Sequence, residues 1–324
     1  MEVSPSVYEH AAQFIGRTPW EVSRDGELLF QAHAAAYGLY HHAPVMPGID
    51  IYNLEPEAYG AVVEEPSGHN IPAIGSHPLE GVDSLLELPP LEPETAGRIP
   101  MQINIAQRLR DRFPDADIRV PVSGPFSIAS NLMGFNNLLL EAALAPKQVA
   151  RAMMHLVDGQ VDFARAIKAA GVDVAFFESA ACPPMLSPDQ FREIELPALQ
   201  ETMRRIGEVT GKPVPCIIGG NTAPIVDAML ETGSGYLIAP VETDQAAFLK
   251  RVAHRVDVRI RVNIDLRIVA KGTHAEIEKE ADRVLDIIGD RPNACMGTGA
   301  LPYETNPENV LHLIKYVEDA TNAT

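Results

Sequence analysis

The sequence predicts an α/β fold, a closed (β/α)8 TIM barrel in one domain, and three observations carry that prediction. From residue 101 onward, apolar runs of strand length alternate with helical stretches at intervals of roughly 25–40 residues, the rhythm of parallel strands joined by right-handed crossovers. About seven or eight such strands occur with no Pro/Ser-rich linker between them, which favours a closed barrel over an open doubly wound sheet. The 324 residues are 46% hydrophobic, enough to fill one large core.

Residues 1–25 are polar and mixed, and the lone tryptophan, Trp20, lies among them. A helix is expected over Gly26–His42, so residues 1–42 read as a helical extension and the first strand region of the barrel as shortened. The His41-His42 pair is a poor metal candidate, because adjacent residues do not share a helix face and no third ligand is near. An apolar segment from Ala43 ends at Asp50, and Asn53 and Glu55 precede a helical stretch over Pro56–Gly60. Residues 61–100, rich in proline and glycine, read as a rim or lid. Strands are then expected at 118–122, 173–178, 213–218, 235–239, 258–264 and 293–297. They alternate with helical stretches over 101–113, 127–170, 188–210, 223–232, 244–254, 274–289 and 307–320. Within this series Lys212–Thr222 reads as a buried strand running into a Gly219-Gly220 turn, where the backbone can approach a ligand or simply connect a strand to a helix.

The formal net charge is −18, with acidic residues spread along the chain and no Lys/Arg cluster, so nucleic acid, anionic membranes and polyanionic substrates are disfavoured partners. There is no apolar run of about 18 residues and no basic, apolar leader at the start, so a soluble cytoplasmic protein is expected. Cys182, Cys216 and Cys295 include no closely spaced pair and fit buried or reactive thiols in a reducing compartment.

In a barrel the active site lies at the carboxyl ends of the strands. The polar residues just after each apolar run are Asp50, Asn53, Ser123, Glu178, Cys182, Asn221, Glu242, Asn263, Asp265 and Thr298, a ring without a basic cluster. No phosphate-binding glycine motif accompanies them, and Lys212, Lys250 and Lys271 fall on loops or helices, which speaks against Schiff-base chemistry.

Four stretches in register resemble the uroporphyrinogen decarboxylase superfamily, and within it the cobalamin-dependent methyltransferase branch, which includes coenzyme M methyltransferases and O-demethylase methyltransferases. Val122–Ala129 resembles G-P-F-T-hydrophobic-A; Leu186–Phe191 with Leu196-Pro197 resembles L-S-P-x-x-F…P. Val262–Asp265 resembles G-N-I-D, and Gly299–Val310 resembles G-C-x-x-P…T-P-x-E-N. The resemblance implies a TIM barrel that transfers a methyl group with the cobalt of a corrinoid. No D-x-H-x-x-G motif occurs here, so the corrinoid would be carried by a separate protein.

Two departures accompany it. Methyl-accepting members hold zinc with the His and Cys of H-x-C-G-N and the Cys of the later G-C motif. Aligned on Gly220-Asn221-Thr222, those positions are Ile217, Gly219 and Ala300, so no zinc of that type is expected. A substitute site from Glu178, Cys182 and Glu242 is the alternative, and Cys216 points to the wrong face of its strand. The decarboxylases' arginine-rich amino-terminal grip is reduced to Phe14–Trp20, which disfavours a many-carboxylate porphyrinogen.

The expected function is therefore methyl transfer between a small substrate and a partner's corrinoid. Glu178 is expected to act as an acid whose pKa is raised by burial, with Asp50 and Asn221 also in the catalytic set. Asn53, Ser123, Cys182, Asn263 and Asp265 are expected around the substrate. Rival readings are a tetrahydrofolate-linked methyltransferase, a decarboxylase and a non-catalytic degenerate barrel. A homodimer is compatible with a barrel of this kind, although no interface stripe is legible.

Overall fold

The computed structural model describes residues 1–322. Among the described residues nine strands are present: β1 (Val3–Ser6), β2 (Val62–Glu64), β3 (Ala73–Ser76), β4 (Arg119–Ser123), β5 (Asp173–Phe177), β6 (Cys216–Ile217), β7 (Tyr236–Ala239), β8 (Arg259–Asn263) and β9 (Ala294–Ala300). All but β2 and β3 are parallel barrel strands, in the orders β1-β9-β8-β7 and β4-β5-β6. The eighth position is a single parallel bridge between Val45 and Ile118, beside which Ser4 Oγ donates to the Ala43 carbonyl at 2.8 Å. Between β6 and β7, Ser234 Oγ accepts from Cys216 N–H at 3.0 Å and donates to the Val214 carbonyl at 2.9 Å. The result is a (β/α)8 TIM barrel, as the alternation predicts.

The stretch read as a helical extension contains the first barrel strand. Val3-Ser4-Pro5-Ser6 carries little strand character of its own and pairs with β9 through Val3–Met296, Ser4–Gly297 and Ser6–Ala300, contacts almost the full chain length apart. Helices over Pro19–Arg24 and Gly26–Tyr40 follow, the former opened by a Thr18/Glu21 capping box. His41 closes the latter in the left-handed conformation, while His42 is buried and its pKa is pushed down to about 3 by desolvation. The expected strand 213–218 shrinks to Cys216–Ile217, because Pro213 and Pro215 have no N–H for a ladder.

Alternation divides the core in two. Residues such as Val120, Val122, Phe176, Cys216, Ile260 and Val262 face the helix layer, where Phe126, Phe163 and Phe191 are fully buried. Tyr8, Met46, Ile51, Ala175, Phe177, Ile217 and Ile238 form a separate cluster inside the barrel, with Tyr52, Tyr236 and Ala300 against it. In the rim region, β2 and β3 form an antiparallel hairpin whose far strand leans over the barrel mouth. Among the described residues no helix is long and apolar enough to cross a membrane.

Candidate functional site

A cleft of about 280 Å³ opens at the carboxyl ends of the strands. One wall is Tyr8 and Glu9 after β1; another is Ile49–Asn53; Ile71–Ile74 of the hairpin form the roof, and Ala300 closes the β9 side. Another hollow, about 350 Å³ and lined by Arg119, Lys212 and Arg259, lies at the opposite, amino end of the strands.

Asp50 is nearly buried and is gripped by Arg98, whose Nη1 and Nη2 donate to Oδ1 and Oδ2 at 2.8 and 2.7 Å. Arg98 also donates to Glu57 at 2.5 Å, and Glu57 receives Arg24 as well. Asn53 Nδ2 donates to Asp50 Oδ2 at 3.0 Å and to the Pro72 carbonyl at 2.8 Å, tying the roof to the wall. The structure thus places both residues at the cleft, with Asp50 paired to Arg98.

Glu9 is the residue that strand-end reasoning misses. It is 6% exposed, its Oε2 has no hydrogen-bond partner, and burial raises its pKa to about 7, with Glu304 adding repulsion. The only available signal was a carboxylate three residues beyond Val3–Ser6, and that strand is invisible without its pairing to β9.

Glu178 lies elsewhere than expected. Phe177 points into the barrel, so Glu178 turns outward, fully buried against the start of the helix Pro125–Met133. Its Oε2 accepts from Phe126 N–H at 3.1 Å and Ser127 N–H at 3.2 Å. Its Oε1 accepts from Ser127 Oγ at 2.6 Å and Ala180 N–H at 3.1 Å. Gly124 is required beside it, because a Cβ there would sit 2.1 Å from Oε2. Four donors and a helix amino end hold this carboxyl and fasten β5 to the helix layer, while burial raises its pKa above the ordinary value, as expected, away from the cleft.

Behind it, the π-helical turn Phe191–Glu195 brings Glu195 to Glu178. Glu195 is fully buried and, among the described residues, neither of its carboxyl oxygens has a hydrogen-bond partner. Burial, then repulsion from Glu178, raises the Glu195 pKa well above its ordinary 4.5. The folded state therefore binds a proton that the unfolded chain releases above pH 4.5, and the stability from this group falls as pH rises through the folded pKa. Glu195→Gln is expected to flatten that decline in urea titrations between pH 5 and 9; an identical slope would show that the pair is not protonated.

The remaining predicted residues divide similarly. Ser123 is buried behind the wall, its N–H and hydroxyl donating to Glu55 at 2.7 and 2.9 Å. Asp265 caps the helix Leu266–Lys271 and pairs with Arg267 at 2.7 Å. Asn221 is exposed on the rim and accepts from Thr243 Oγ1 at 3.2 Å. Asn263 faces the barrel interior with a buried, unpartnered Oδ1. Thr298 is buried and accepts from Ser6 N–H at 3.0 Å. Cys182 is buried under the Gly219-Gly220 turn, where Gly220 has φ +80° and a Cβ would sit 2.4 Å from Sγ. Burial, with Glu178 nearby, raises the thiol's pKa, which disfavours the thiolate.

The sequence profile of uroporphyrinogen decarboxylase (URO-D) matches residues 3–320. The chain belongs to the uroporphyrinogen decarboxylase family. Among solved structures it is similar to a methyltransferase from Methanosarcina mazei, with TM-score 0.83 and 18% identity over 99% of this chain and 93% of that one. It is also similar to SacUVDE, with TM-score 0.51 and 9% identity over 99% of both chains. At these identities the likeness is one of fold. No curated protein matches the sequence.

At the three zinc-ligand positions of the methyl-accepting uroporphyrinogen decarboxylase relatives, Ile217 and Ala300 belong to the apolar barrel interior and Gly219 has no side chain. Glu242 is exposed, Glu178 faces outward, and no group of three His, Cys, Asp or Glu among the described residues is placed to hold a metal ion. These residues do not fit a zinc ion.

Proposed function

We propose that this uroporphyrinogen decarboxylase family member is a methyltransferase, moving a methyl group between a small substrate and the cobalt of a corrinoid carried by a partner protein, without zinc, in the cytoplasm. The observation that carries this reading is the cleft itself: a small, mostly apolar chamber at the barrel mouth containing one unpaired, buried carboxyl, Glu9, with a pKa of about 7. Such a chamber suits a small methylated molecule and not a tetrapyrrole macrocycle. The solved methyltransferase of like fold supports the same class.

The partner's cobalt would supply the nucleophile or the methyl group. This chain would orient the substrate and exclude water beneath the hairpin roof, which Asn53 holds through Pro72. Glu9 takes the role first expected of Glu178: protonated, it gives a proton to the departing oxygen or nitrogen; deprotonated, it takes one from the incoming group. Asp50, fixed by Arg98, holds the wall on which the substrate lies. The test is to mix the purified chain with free cob(I)alamin and a panel of O-, N- and S-methyl compounds, following loss of the cob(I)alamin absorbance. Turnover of at least one donor is expected. No turnover with any donor would overturn the reading, and turnover only with methyl-tetrahydrofolate would replace it by a pterin-linked one.

A further inference from the structure

We propose that the floor of the cleft anchors a carboxylate of the substrate on the guanidinium of Arg261. This deepens the function above, since it takes the cleft to be the substrate site.

Arg261 is the middle residue of β8, and because Ile260 and Val262 face the outer core, its side chain enters the barrel. It is 4% exposed. Among the described residues it makes no ion pair: Nη1 donates to Ser6 Oγ at 3.3 Å, and Nε has no partner. The contrast with Arg98, whose deeply buried guanidinium meets two carboxylates, is direct. Arginine keeps its charge inside proteins, and an uncompensated buried charge is strongly unfavourable. The ionisable groups beside it are the phenols of Tyr8 and Tyr236, which burial holds in the neutral form. An anion from outside the chain is what this site lacks.

The side chain is also aimed at the mouth. Its stem lies across Gly297, where a Cβ would sit 2.3 Å from Arg261 Cδ. Gly297 pairs with Asn263 at the carboxyl end of β8, and Ser6, which receives the guanidinium, pairs with Ala300. The charge therefore rises from mid-strand to the level of Tyr8 and Ala300, both of which line the cleft. Asn263 adds an amide with an unpartnered oxygen on the same face of β8. A guanidinium fork matches the two oxygens of a carboxylate, which selects that group over a single-point anion. Ala300, where a zinc ligand is expected in relatives, leaves this approach open. The substrate class that follows is a small methylated acid.

The experiment is isothermal calorimetry on the full chain without corrinoid, using methoxyacetate and its neutral counterpart methoxyacetamide, with sulfate and inorganic phosphate as further arms. Wild type is expected to bind the acid about 10- to 100-fold more tightly than the amide. R261M is expected to lose that preference while melting no lower than wild type in ligand-free buffer, and R261K to retain part of it. Equal binding of acid and amide by wild type, no binding of either, or a preference that survives R261M overturns the proposal. Tighter binding of sulfate or phosphate than of methoxyacetate also overturns it, in favour of a tetrahedral-anion site. Carboxylate binding that is intact in a chain unable to transfer methyl groups would sink the corrinoid reading alone. Transfer from a neutral donor undiminished in R261M, with no acid preference in wild type, would sink the anion site alone.

Discussion

Glu9→Gln is expected to slow methyl transfer by about 10²–10⁴-fold, the range that a positioned general acid or base contributes. The effect should be largest for methyl ethers, whose alkoxide leaving group most needs a proton. Wild-type demethylation should fall as pH rises through about 7, because the acid form of Glu9 is lost there, and methylation of an acceptor should rise through the same value. Glutamine neither gives nor takes a proton, so both inflections should vanish. A control comes from stability. The folded pKa of Glu9 lies above its ordinary 4.5, so the native state holds a proton that the unfolded chain loses between pH 4.5 and about 7. This group's contribution is full below that window and lost across it. Glu9→Gln should therefore be at least as stable as wild type at pH 8, which separates lost chemistry from lost folding. Unchanged transfer rates across pH 6–8 would remove Glu9 from the mechanism.

Arg98→Met is expected to destabilise the protein by about 3–5 kcal/mol, the cost of leaving a buried charge without its partner. Asp50 would be left nearly buried with only Asn53 as a donor, while Glu57 would retain Arg24. Adding Asp50→Asn should recover part of the loss, since both charges would then be gone, and the coupling can be read from a double-mutant cycle by urea denaturation. A loss below about 1 kcal/mol would place this pair with exposed surface bridges, which contribute little.

The sequence made the barrel legible because its strands from β4 onward are local signals. Val120–Val122, Ala175–Phe177 and Leu237–Ala239 are apolar runs whose partners repeat the same pattern. The first barrel position was not legible in that way, and the second showed only as a short apolar segment from Ala43. β1 contains two serines and a proline and exists through pairing with β9, and the second position is a single bridge at Val45. Asp50 and Asn53 were found because they follow an apolar run directly. Glu178 was misplaced because proximity to a strand end does not say which way a side chain turns; Phe177 took the inward position and sent Glu178 to the helix amino end.

By itself, then, the sequence determined the fold class, the end of the barrel that carries the cleft, and the absence of His and Cys at the expected zinc positions. Those properties are written in periodicity and residue identity along a single stretch. Tertiary structure alone decided which carboxyl is buried and unpaired in the cleft and which arginine, among the described residues, makes no ion pair. Both depend on burial and on partners from β1, β8 and β9, more than 250 residues apart between Ser6 and Arg261. Desolvation raises the pKa of Glu9, and Arg261 makes no ion pair among the described residues; neither property belongs to a residue considered without its surroundings.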